Sequence, residues 1–119
     1  MGSRVHRRTR VDSWQRVEVE NEAHFREFNE RTRAAHEPGI DHVREVYLCE
    51  CGDASCSDPM TLTRAEYELV RAEATHFVLA ANHENPELDL FLAERERYTV
   101  VQKRFGEAAR IAYATDPRR

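Results

Sequence analysis

The chain has 119 residues, a formal net charge of −4, 34% charged and 40% hydrophobic side chains. That length suits one domain with a modest core, and apolar residues are spread too evenly for a disordered chain. No apolar run approaches the roughly 20 residues that cross a bilayer, and the arginine-rich start leads into no hydrophobic signal core. A cytoplasmic protein without membrane attachment is therefore expected.

Arg4, Arg7, Arg8, Arg10 and Arg16 face only Asp12 across the first sixteen residues, a local +4 that leaves −8 on the remainder. Residues 1–11 are expected to form a basic, flexible arm, and residues 12–37 a long N-terminal helix capped by Asp12 or Ser13 and stopped at Glu37-Pro38-Gly39. Phe25, Phe28, Thr32 and Ala35 recur at three- and four-residue steps, a narrow apolar stripe on an otherwise charged helix. Such a stripe packs on its own domain or pairs with a second copy of itself.

Residues 43–48 read as a strand running into residues 46–62, V-Y-L-C-E-C-G-D-A-S-C-S-D-P-M-T-L, which contain all three cysteines. Residues 60–62 form the return strand. Thr63-Arg64-Ala65-Glu66 is a capping box, and Leu62 with Tyr67 occupies the positions of a hydrophobic staple. A helix therefore starts at Arg64 and buries Tyr67, Val70 and Ala74. Residues 76–80 are β-prone. Asn85 followed by Pro86 predicts a short helix with Leu88, Phe91 and Leu92 on one face. Residues 98–102 form the last strand, and Gly106 precedes an alanine-rich helix that turns Ala108, Ile111 and Ala112 inward. The fold class is α+β, a small, largely antiparallel sheet with flanking helices, in which residues 38–116 make a zinc-binding domain and 117–119 a tail.

Cys49, Cys51 and Cys56 lie within eight residues, among Glu50, Gly52, Asp53, Ser55 and Asp58, loop formers expected to hold the backbone near water. An odd number of thiols fits a metal better than a disulfide framework. Structural zinc takes four ligands, so one is owed from elsewhere. The candidates are His83, His76, His42, Asp53 and Asp58. His83 is preferred because it follows a β-prone run and is preceded by Asn82, which tolerates a left-handed turn. Asp58 is placed to accept a hydrogen bond from a ligand. An iron–sulfur cluster and metal-free redox thiols are the alternatives to Zn2+.

The runs C-E-C-G-D-A-S-C, L-T-R-A-E-Y-E-L-V-R, H-F-V-L-A-A-N-H-E, Y-T-V-V-Q-K and G-E-A-A-R-I-A-Y-A-T-D-P-R, with N-E-A-H-F-R-E-F-N-E-R upstream, together resemble a family of small uncharacterised actinobacterial proteins. The resemblance covers about residues 20–118. It implies a cysteine–histidine metal site in a bacterial cytoplasm and implies no activity. Asn82 stands where that family's pattern has glycine, and Arg104-Phe105 makes the segment before Gly106 one residue longer.

A closed Cys3His shell contributes folding energy rather than turnover, and the sequence carries no phosphate loop, nucleophile elbow or metalloprotease motif. The expected function is that of a non-enzymatic zinc-binding domain acting in bacterial regulation through a protein partner, with Phe25 and Phe28 as the partner surface and a homodimer through the first helix as one form of it. A thiol-based redox or metal-responsive switch is a second reading. A nucleic-acid-binding regulator using the arginine arm is a third, weakened by the acidic body. A zinc hydrolase or deaminase with Glu84 as acid or base is a fourth, and the order of its motifs is reversed here.

Overall fold

The computed structural model describes residues 13–35, 42–56 and 58–118. Its elements are α1 (Ser13–Ala34), β1 (Arg44–Leu48), β2 (Pro59–Thr63), α2 (Arg64–Arg71), β3 (His76–Leu79), β4 (Asp89–Glu94), β5 (Thr99–Lys103) and α3 (Glu107–Ala114). The architecture is α+β, with two small antiparallel sheets: β1 pairs with β2, and three strands lie in the order β3-β5-β4. The basic arm and the helix stop at residues 37–39 lie outside the described residues.

Local sequence sets α2 firmly. Thr63 accepts from the Glu66 N–H while the Glu66 carboxylate accepts from the Thr63 N–H, a complete capping box. Leu62 and Tyr67 are both fully buried, and Tyr67 stacks on Tyr47 with ring centroids 4.5 Å apart. The helix stops at Arg71, so Ala74 lies in the turn beyond it, half-buried. The main core gathers Tyr47, Met60, Leu62, Val70, Phe77, Leu79 and Val101 with Cys49 and Cys51. A smaller cluster of Val19, Leu88 and Ala108, with Ile111 against it, lies under the start of α1.

Two expectations are corrected. Residues 86–92 do not form a helix. Asn85 does start a turn, its carbonyl accepting from the Leu88 and Asp89 N–H groups, but the chain then becomes β4 and pairs with β5. Leu88, in the turn before β4, is buried, while Phe91 and Leu92 are both exposed where this edge strand shifts register against β5. Likewise, α1 does not bury its apolar stripe. Its inner face is Gln15, Val19, Glu22, Arg26 and Asn29, which follows a helical spacing but holds one apolar side chain. Phe28 is 53% exposed and Phe25 half-buried, and Trp14 and Val17 are exposed as well.

Each buried polar residue of α1 has a partner, as burial of polar groups favours, although Glu22 Oε1 and Arg26 Nε are left without one among the described residues. Glu22 and Asp89 both accept from the buried Lys103 ammonium. Arg26 donates to the Ala74 and Ala112 carbonyls and lies 4.4 Å over the Phe77 ring. Asn29 reaches the loop after β1, where the cysteines are.

Candidate metal centre

β1 delivers Cys49, and in extended backbone alternate residues share a side, so Cys51 points the same way and Glu50 the opposite way. Gly52 has φ of 82°, a conformation that favours glycine, and turns the chain under α1. The Cys56 N–H then bonds the Asp53 carbonyl at 2.9 Å, which closes the loop. From the other side, β3 ends at Leu79 and Asn82 adopts φ of 66°. The His83 N–H bonds the Ala80 carbonyl, and the imidazole swings back toward the sulfurs. Asn82 thus makes the left-handed turn expected of it.

Cys49, Cys51, Cys56 and His83 form one cluster, with all four ligand atoms within 4.8 Å of one another. His83 Nδ1 lies 3.4 Å from Cys49 Sγ and 3.4 Å from Cys56 Sγ. Tetrahedral bonds of about 2.3 Å to sulfur and 2.0–2.1 Å to nitrogen would separate such atoms by about 3.6 Å. The donor set therefore fits one tetrahedral ion, and these residues could hold a metal. The three cysteines are free thiols. His42 and His76 are not in the cluster, nor are Asp53 and Asp58.

The surroundings suit thiolates. Backbone N–H groups point at each sulfur: Ala80 to Cys49 at 3.2 Å, Asp53 to Cys51 and Asp58 to Cys56. Such bonds favour the charged form. The Asp58 carboxylate accepts from His83 Nε2 at 3.0 Å, which fixes the tautomer that leaves Nδ1 free as a ligand. Asp53 is exposed and bonds Ser55 within the loop, which holds its carboxyl below the usual range.

With protons in place of a cation, the thiols share unevenly. A hydrogen bond from Cys49 pushes the Cys51 thiol down to about 5, and the same contact, with burial, pushes Cys49 up. Burial pushes Cys56 up, and the contact with Cys51 raises His83. A metal ion would replace these protons, so its binding is coupled to proton release.

Glu50 corrects an expectation. The sequence treats it as a solvated loop residue, yet it is fully buried. Its N–H bonds the Val78 carbonyl at 3.0 Å, its carboxylate accepts from the Val78 N–H at 3.0 Å, and Asn29 donates to it at 2.9 Å. Gly52 is also buried. A Cβ there would lie 2.5 Å from the Glu18 carbonyl oxygen of α1. Asn29 and Asn21, which hold this loop, were not singled out by sequence. The available signal was the alternation itself, which turns the middle residue of Cys-x-Cys away from the side the two sulfurs share.

A cleft of about 440 Å3 opens beside the cluster, lined by Glu18, Cys51, Asp53, His83, Glu84 and Asn85 among others. No protein-family model, curated protein or solved structure matches the chain. No helix among the described residues is long and apolar enough to cross a membrane.

Proposed function

We propose that the chain is a non-enzymatic zinc-binding domain, in which Cys49, Cys51, Cys56 and His83 hold one structural Zn2+ and the folded unit acts through a protein partner in regulation. The observation that carries this reading is the closed shell: three sulfurs and one imidazole nitrogen at tetrahedral spacing. A full donor set leaves no position for water or substrate, which favours a structural ion over a catalytic one. Soft thiolate donors suit zinc among the abundant divalent metals.

The partner surface nominated is the outer face of α1, where Phe25 and Phe28 join Trp14 and Val17. A second copy is the occupant this face suits. Trp14 and Phe28, and likewise Val17 and Phe25, lie symmetrically about position 21, so an antiparallel pair of helices would set each against its counterpart on either side of Asn21. The Asn21 side chain itself is turned to the Gly52 carbonyl.

Elemental analysis of the purified chain tests the metal. One zinc per chain is expected in wild type, with loss in Cys51→Ala and His83→Ala. Iron with a visible cluster spectrum, or no metal at all, would overturn the assignment. Sedimentation equilibrium of wild type and Phe28→Glu tests the partner surface, with weakened self-association expected in the variant.

A further inference from the structure

The loop that carries Cys49 and Cys51 is held from behind by α1. Asn29 spans both ends of the first ligand: its Nδ2 donates to the Leu48 carbonyl at 2.8 Å and to Glu50 at 2.9 Å, and its Oδ1 accepts from the Leu48 N–H at 2.8 Å. Asn21 donates to the Gly52 carbonyl at 3.0 Å, one residue past the second ligand. Between them Glu50 is pinned to β3 on its other side. The backbone of Cys-x-Cys is therefore fixed at three successive points by groups that touch neither sulfur.

The dependence runs the other way as well. Val19 is the one apolar side chain on the buried face of α1, so the helix docks through hydrogen bonds and ion pairs. Directed bonds need partners at set positions, and their net contribution is small and lost with geometry. Part of the partner set for α1 is the cysteine loop, whose shape is set by convergence of its sulfurs with His83. In a folded protein most of a helix's stability comes from the packing of one face, so α1 depends on that partner set.

We infer that Asn29, Asn21 and Glu50 are positioning residues of the metal centre, and that docking of α1 and binding of the metal reinforce each other. This rests on the metal reading above. By linkage, whatever α1 adds to metal affinity, the metal adds to the docking of α1. Metal loss then releases α1 ahead of the β3-β5-β4 sheet, whose ladder bonds run between its own strands, the cysteine loop touching only the outer edge of β3. The metal centre becomes a device that governs whether α1, with both its faces, is held or free.

The experiment uses the full chain and zinc alone. Chelator-competition titrations compare wild type with Asn29→Ala, Asn21→Ala and the exposed control Leu69→Ala. Asn29→Ala should bind zinc about tenfold or more weakly, in the range of losses seen when groups that orient metal ligands are removed. Asn21→Ala should lose less, and the control nothing. Hydrogen exchange with and without chelator supplies a readout that general destabilisation does not imitate: α1 amides open on zinc removal while the amides that pair β4 with β5 stay protected. Should Asn29→Ala fail to fold, Asn21→Ala carries the same test. Absence of zinc from wild type would remove the metal reading itself. Zinc bound equally well by both asparagine variants, or zinc removal that opens every element together or none, would overturn the coupling alone.

Discussion

Gly52 is where backbone chemistry and the candidate metal centre meet. Its positive φ costs an L side chain about 1 kcal/mol or more, and the added Cβ would drive into the Glu18 carbonyl and the Glu22 side chain. Gly52→Ala is expected to lower both the urea midpoint and zinc affinity, measured by denaturation and chelator competition. Asp58 acts differently, because it touches the far nitrogen of His83 and is itself exposed. Asp58→Ala is expected to weaken zinc binding about tenfold with little change in the exchange protection of the sheet. His83 was legible in sequence because Asn82 marks a left-handed turn at the end of a β-prone run. Glu50 was not, because a buried carboxylate and a solvated one are spelled alike, and only its partners Asn29 and Val78 distinguish them.

At the scale of elements, α2 was readable because its signals are local: a cap, a box partner three residues on, and a staple. β4 was not. Asn85 and Pro86 signal a helix start and do make one turn, but pairing with β5 and the pull of Lys103 on Asp89 carry the chain into a strand. The inner face of α1 was missed for a related reason, since periodicity arguments assign apolar positions inward and this helix buries Glu22, Arg26 and Asn29. That choice has a pH signature. Burial holds the Glu22 carboxyl up at about 8, against an ordinary value of 4.5, although Lys103 pulls the other way. Burial alone would strip the Lys103 ammonium, but Glu22 and Asp89 hold it above the usual lysine range. Between those two values for Glu22 the folded chain keeps a proton that the unfolded chain has released. Its contribution to stability therefore falls as pH rises from about 4.5 to 8. Glu22→Gln, always neutral, should flatten that part of the pH profile in urea unfolding.

For the whole molecule, the fold class and the four-residue cluster followed from patterns within single segments, whereas the division into two sheets depended on which strands meet. The cysteine loop joins those sheets, because Glu50 and Cys49 bond β3 while β1 carries them. Chelation should therefore lower the thermal midpoint markedly, and restored zinc should recover it, as followed by circular dichroism. The scarcity of apolar contact beneath α1 has a thermal consequence. Unfolding heat capacity comes from newly wetted apolar surface, and wetted polar surface offsets it. Detachment of α1 should add almost nothing to that quantity, so its free energy should vary nearly linearly with temperature and chilling should not loosen it. A calorimeter would register the departure of the helix as heat taken up with almost no step in the baseline, whereas melting of the β3-β5-β4 layer would raise the baseline as well.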